Sequence, residues 1–265
     1  MREGTYVSQT LALVGRELKH WYRSKIQIFM MAAQPLIWLG LFGFAMDGLM
    51  RGFDQELDYF SFLCIGMIVV TALTASMTAG MSLVWDRRFG FLEKVRAAPI
   101  PRGVIPLSKI IATTVKAAIQ SLLVLVMALL LGLDAGGLSA VSLTVIIISV
   151  VCVAMTFSSI FAALGLIIKN QEALMGINML LNLPLMFASG AMFPTTALPE
   201  ALRIVANANP LTYAADAIRN SWGGMSSMVS VQSLSLVGDL IVITAFALVM
   251  TGASMFFSRR TLRRE

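Results

Sequence analysis

Six stretches of this chain are each long and apolar enough to cross a lipid bilayer, which leaves few folds open to it. They run Ile26–Met46, Phe60–Trp85, Ile110–Leu133, Leu138–Ile168, Ala173–Phe193 and Leu236–Phe257. A span needs roughly 20 mainly apolar residues, and backbone in hydrocarbon must satisfy its own hydrogen bonds, so each stretch is expected to be a helix. The second and fourth exceed that minimum and are expected to tilt or to continue beyond the hydrocarbon. Composition agrees: 13% of the residues are charged, against about 25% in a soluble domain. The chain therefore reads as one all-α integral membrane domain over residues 1–265, with little length left for a soluble one.

Residues 1–25 lack the apolar core of a signal peptide. Val7, Leu11, Val14, Leu18 and Trp21 form a helical stripe instead, while Arg16, Glu17, Lys19, His20 and Arg23 occupy the other faces. That pattern predicts an amphipathic helix lying in the membrane interface, in contact with lipid. Arg and Lys number five in residues 1–25, six from Arg87 to Lys109 and four after Phe257, with Lys169 between spans four and five. The other side holds Arg51, Arg203 and Arg219, and its first loop is acidic through Asp47, Asp54, Glu56 and Asp58. The excess of positive charge puts both termini in the cytoplasm and predicts a multi-pass protein of the plasma (inner) membrane. The net charge of +6 follows from the same bias; without a folded basic surface it predicts no nucleic-acid partner.

Motifs of catalysis are missing. There is no G-x-x-x-x-G-K-[ST], H-E-x-x-H or G-x-S-x-G, and Cys64 and Cys152 both lie within apolar spans without metal-ligand spacing. No metal and no cofactor is expected on this chain, and ATP-driven work would need another chain to bind the nucleotide.

Two short segments carry most of the remaining information. Residues 85–103 read WDRRFGFLEKVRAAPIPRG, a cytoplasmic stretch too charged for lipid but with an apolar side at Phe89, Phe91, Leu92 and Val95. The spacing predicts a short amphipathic helix stopped by Pro99 and Pro101. Residues 193–235 contain two short helical patterns, one through Leu198, Leu202 and Val205 and one from Tyr213 to Trp222, broken at Asn209-Pro210 and closed by Gly223-Gly224. Short helices returning towards the membrane between two spans must pack against protein.

Both segments resemble signatures of type-2 ABC exporter permeases, in the drug and glycolipid export branch to which daunorubicin-resistance permeases belong. The family pattern SG-x-x-FP, then NP-x-x-x-x-x-D-x-x-R, is met by Ser189, Gly190, Phe193, Pro194, Asn209, Pro210, Asp216 and Arg219. The family coupling helix, R-x-x-G-x-x-E-x-x-x-x-x-P, is met by Arg87, Gly90, Glu93 and Pro99. The resemblance covers nearly the whole chain. It implies six spans with a re-entrant helix pair between the fifth and sixth, and an ATPase-coupling segment through Arg87, Arg88, Phe89, Gly90, Phe91, Leu92, Glu93 and Lys94. It further implies a homodimer of this chain with two copies of a cytosolic ABC ATPase that carry ATP and Mg, exporting lipophilic drugs or lipid-linked substrates along the dimer interface of spans one, two and five. The alternative is a stand-alone six-span secondary carrier or membrane scaffold; an adjacent reading frame encoding an ATPase without spans would discriminate.

Polar residues inside the spans are candidates for that route. Thr71, Ala75, Thr78 and Ser82 share one face of span two, and Ala72, Ser76 and Gly80 repeat every fourth residue on a neighbouring one, a spacing that lets helices approach closely. Asn178 and Asn182 in span five must face a helix or a cavity, as polar glue or as route lining. Thr71, Thr74, Thr78, Asn178, Asn182 and Ser189 are the pathway candidates. In span one, Pro35 beside Gln34 frees a carbonyl for a nearby polar group. Lys116 is expected to snorkel to the headgroups and Asp239 to sit near the external interface, with no charge pair across the bilayer centre.

Overall fold

The computed structural model describes residues 3–50, 58–97, 100–101, 103–195, 198–222 and 234–264. Among them the regular structure is helical. The N-terminal helix α1 (Glu3–Arg23) lies along the span-three helix named below and buries Val14 and Trp21, while Val7 and Leu11 stay exposed. Ser24 breaks the chain, and span one follows as α2 (Lys25–Ile37), a π-helical stretch (Trp38–Gly43) and α3 (Phe44–Met50). The bulge follows Pro35, which has no N–H to give Met31 four residues back. Gln120 of span three supplies the missing donor, its Nε2 lying 3.0 Å from the Met31 carbonyl oxygen.

Span two is the central element. It runs from Tyr59 as α4 (Tyr59–Ser76) and α5 (Thr78–Arg88), starting where the Asp58 carboxylate accepts the Ser61 N–H at 3.2 Å. Almost every side chain of α4 is buried. A short α6 (Phe91–Ala97) leads into span three, α7 (Val104–Leu131), and then span four, α8 (Ala140–Ile167), opened by a reciprocal Ser139–Ser142 capping box. Next come α9 (Gln171–Phe187), α10 (Glu200–Ala208), α11 (Pro210–Ser221) and the last span, α12 (Leu236–Arg264). Spans three and four and α11 pack against span two, span six packs against span four and α11, and the apolar faces of α2 and α9 remain open.

Lipid is as apolar as leucine, so close approach by small residues replaces hydrophobic burial as the packing force. The expected Ala72, Ser76 and Gly80 repeat does this work against span four. A Cβ on Gly80 would lie 2.2 Å from the Phe161 carbonyl oxygen, and one on Gly165 would lie 2.4 Å from that of Gly80, so the two backbones touch. Ser76 donates to Ala72 O at 2.6 Å, and its hydroxyl also lies 3.3 Å from Ala154 O on span four.

Among the described residues five helices are long and apolar enough to span: Lys25–Leu49, Tyr59–Arg88, Val104–Leu131, Ala140–Ile167 and Leu236–Ser258. The expected fifth stretch differs. Its helix α9 has 17 residues, about 25 Å at 1.5 Å per residue, and it ends at Phe187 instead of Phe193. Ser189 turns the chain by donating to Met186 O at 2.6 Å and accepting the Ala191 N–H at 3.3 Å. Gly190 then takes a left-handed φ of 64°, which a side chain would resist. Two short helices, α10 and α11, lie where the sequence predicts them, broken at Asn209-Pro210; Gly223-Gly224 falls outside the described residues.

Candidate coupling segment, cavity and re-entrant clamp

The C-terminal end of span two turns through Phe89 and Gly90 into α6. Gly90 has a φ of 66° with open space around it, so it is the turn that requires glycine there. Arg87 donates to the Leu166 carbonyl at the end of α8 (3.0 Å), and Arg88 to Gln171 Oε1 at the start of α9 (3.3 Å). Phe89 is 78% exposed, and Glu93 and Lys94 are exposed beside it. Leu92 and Val95 face the other way, buried with Leu83, Ile105, Ile110 and Leu166. Leu92 therefore holds α6 to its own domain, a correction to its expected place on a partner-facing side. Phe91 lies beneath the Arg16 guanidinium, 3.4 Å from its ring centre. The helix ends at Ala97, before Pro101; Pro99 lies outside the described residues.

Behind α6 sits a charge network that no local pattern announces. Lys109, 4% exposed, donates to Glu17 Oε1 at 2.6 Å, to Ser82 Oγ at 2.8 Å and to Asp86. Arg16 meets Asp86 at 2.7 Å, and Ser82 donates to the other Glu17 oxygen at 3.0 Å. Burial pushes the Glu17 carboxyl up, but Lys109 and Lys116 outweigh it and hold the group below its ordinary value. Lys116, expected to snorkel, lies 3.9 Å from Glu17 instead. The network joins α1, α5 and α7.

Towards the other side, a cavity of about 140 Å³ opens between spans one, two and α9. Gln34, Pro35, Trp38, Thr71, Thr74, Asn182 and Met186 are among its lining residues. Among the described residues the Thr71 hydroxyl and the Asn182 carbonyl oxygen are buried there without a hydrogen-bond partner, whereas Thr74 satisfies itself on Thr71 O at 3.0 Å. Thr78 donates to Ala75 O at 2.7 Å and Ser189 is buried in its turn; neither lines the cavity. Asn178, one turn from Asn182, also has an unpartnered buried oxygen but is not in the lining. The volume suits a few waters at about 30 Å³ each and is below the roughly 300 Å³ of a drug-sized site. It is a groove beside open apolar helix faces, with Met179 and Leu180 each 73% exposed.

The residues around α11 form a clamp. Asn209 caps α11 by accepting the Leu211 N–H at 3.1 Å, and its Nδ2 donates to Leu185 O at the end of α9 (2.9 Å). Pro210 occupies the first helical position, where a missing N–H costs nothing. Arg219 is fully buried: it donates to the carbonyls of Gly190 (2.9 Å), Ala191 (3.2 Å) and Phe62 (3.3 Å), stacks over the Phe62 ring and lies 3.5 Å from Asp216. Phe193 packs against Phe187 and Phe42, and Pro194 follows it out of the turn. Asp239 is buried beside Asn220 at 3.4 Å.

Apolar helices long enough to cross a bilayer, packed through small residues and buried polar contacts, define a multi-pass membrane protein. The chain belongs to the ABC-2 type transporter family, whose sequence pattern matches residues 8–222. It is 30% identical over 253 residues to a putative transport permease, ycf38, of Cyanophora paradoxa, covering 92% of this chain and 87% of the relative. It is 26% identical over 222 residues to the daunorubicin resistance ABC transporter permease protein DrrB1 of Streptomyces coeruleorubidus, covering 83% and 77%. Nodulation protein J of Rhizobium meliloti (strain 1021) is 28% identical over 189 residues, covering 71% and 70%. Members of this family are multi-pass transport subunits that normally pair with an ABC ATPase.

Sequence reasoning missed Glu17, Asp86 and Lys109 as a unit, and Gln120 as the donor for span one. One signal was available for Lys109: it sits inside the first turns of a span, among Ser108, Ile110 and Ile111, where a lone charge needs a partner.

Proposed function

We propose that this chain is the membrane half of an ATP-driven exporter in the plasma (inner) membrane, with both termini cytoplasmic and α9 serving as a short fifth span. Two copies face one another across the open faces of α9 and of span one from Gln34 to Leu41, and two cytosolic ABC ATPases, carrying ATP and Mg, dock on the exposed side of α6 around Phe89. The helices α10 and α11 re-enter the membrane from outside and seal the external end. Lipophilic drugs or lipid-linked molecules are the substrate class. The observation carrying this reading is the groove: buried, unpartnered polar atoms of Thr71 and Asn182 beside exposed apolar faces describe half a site, completed by a second copy. A sugar-binding route would want aromatic platforms, which are sparse in spans two and five.

The test is co-purification with the cognate ATPase in detergent, with ATP turnover measured against candidate drugs and lipids. Thr71→Val and Asn182→Leu should change substrate stimulation while leaving the melting temperature in place. Lower melting temperature with unchanged stimulation at both positions would make them packing residues and remove the route from the groove.

A further inference from the structure

The elbow between α1 and span one carries a second site. Arg16, Lys19, His20 and Arg23 recur at three- and four-residue spacing on one face of α1, and with Ser24 they line an open cavity of about 430 Å³. Arg16 is engaged by Asp86; Lys19, His20 and Arg23 are exposed and make no ion pair or side-chain hydrogen bond among the described residues. The C-terminal dipole of α1 offsets only about half a unit charge, so the cavity stays strongly cationic. Ser24 leaves the first turn of α2 without a side-chain cap, adding backbone N–H groups free to meet an anion. Directly beyond the elbow Ile26, Phe29 and Met30 of span one are exposed, an apolar track leading away from the charges.

We propose that this elbow binds the headgroup of an anionic phospholipid, its phosphodiester held by Lys19 and Arg23 and its acyl chains lying along Ile26, Phe29 and Met30. A soluble phosphate would use the cations but not the track; a lipid uses both. The proposal rests on α1 lying at the cytoplasmic interface. Labelling of a Lys19→Cys variant by an impermeant thiol reagent, from inside-out vesicles but not from intact cells, checks that placement separately.

The experiment is native mass spectrometry of the full chain with its ATPase, released from micelles containing phosphatidylglycerol or phosphatidylcholine. Wild type should retain phosphatidylglycerol at about tenfold lower lipid concentration than phosphatidylcholine, in keeping with the pull of a few basic side chains on anionic lipid. The double variant Lys19→Gln/Arg23→Gln should lose that preference, the charge-conserving Lys19→Arg/Arg23→Lys should keep it, and Arg203→Gln should not affect it. Equal retention of the two lipids by wild type overturns the proposal, as does displacement of the lipid by millimolar inorganic phosphate. Loss of the ATPase from the double variant with its lipid preference intact also overturns it, because the patch would then belong to the protein contact. If the double variant melts early, Lys19→Gln alone decides between the same outcomes with a smaller change.

Discussion

Replacing Lys109 by methionine should expose how much of the junction of α1, α5 and α7 depends on charge. Methionine keeps the length of the side chain but leaves Glu17 and Asp86 sharing a buried space. Their remaining cations are Arg16, 40% exposed at its side chain, and Lys116 at 3.9 Å. Removing one partner of a buried ion pair costs about 3–5 kcal/mol, because the other charge stays behind. At roughly 2–4 °C per kcal/mol for a large domain, the melting temperature should fall by on the order of 10 °C. Glu17→Gln alone should also destabilise, but the pair Glu17→Gln/Lys109→Met should lose about 2 kcal/mol less than the sum of the single changes, since the groups are in contact. The assay is thermal unfolding of the purified complex in detergent for all three variants and wild type. Strict additivity, or a Lys109→Met melting temperature within about 2 °C of wild type, would refute the reasoning that α1, α5 and α7 are joined by charge.

Phe89→Ala should leave the melting temperature near wild type, because an exposed side chain away from special features contributes within about 0.5 kcal/mol. The same change should weaken ATPase co-purification by tenfold or more if Phe89 is a contact anchor worth about 2 kcal/mol. Gly66→Ala should fail to yield a monodisperse protein in size-exclusion chromatography, because its Cβ would sit 1.8 Å from the Ala191 carbonyl oxygen, a backbone atom held in the clamp. Glu17 is a carboxylate held below its ordinary 4.5, so its stabilisation is fully present above that pH and is lost as pH falls through the lower folded-state value. Melting temperature should show no Glu17-dependent change between about pH 6 and 8 and a drop below about pH 4.5 that the Glu17→Gln variant lacks.

Much of the helical architecture was legible because the membrane restricts the choices. Apolar length located the five long spans within a few residues, and Pro35 announced that a carbonyl would need a donor, though not that Gln120, 89 positions along the chain, would supply it. The end of α9 was misread because apolar composition continues through Ala188, Ala191 and Met192, while the chain turns on the Ser189 hydroxyl and the left-handed Gly190. Composition measures affinity for lipid and says nothing of where backbone direction changes. The signature residues Asn209, Pro210 and Arg219 could be picked out by their order, but their bonds to Leu185, Gly190, Ala191 and Phe62 are long-range and invisible to periodicity. Leu92 and Phe89 share the apolar character of one short helix, and only packing separates the side chain that holds α6 in place from the one left open. Glu17 looked like part of a solvated helix face because its long-range partners lie 65 to 99 residues away, at Ser82, Lys109 and Lys116.

The Arg219 clamp also has a consequence for how the protein is made. The carbonyls of Gly190 and Ala191 are translated first, and their donor follows only 29 and 28 residues later. Until then a nascent chain holding α9 carries bare acceptors in a turn that packs against span two, and hydrocarbon offers them nothing. Integration of the C-terminal third is thus tied to synthesis of α11: the turn at 188–195 can leave water or the insertion machinery for its final place only when the guanidinium has arrived. A chain cut short before Arg219 would carry a turn whose two acceptors have no donor to accompany them into the membrane.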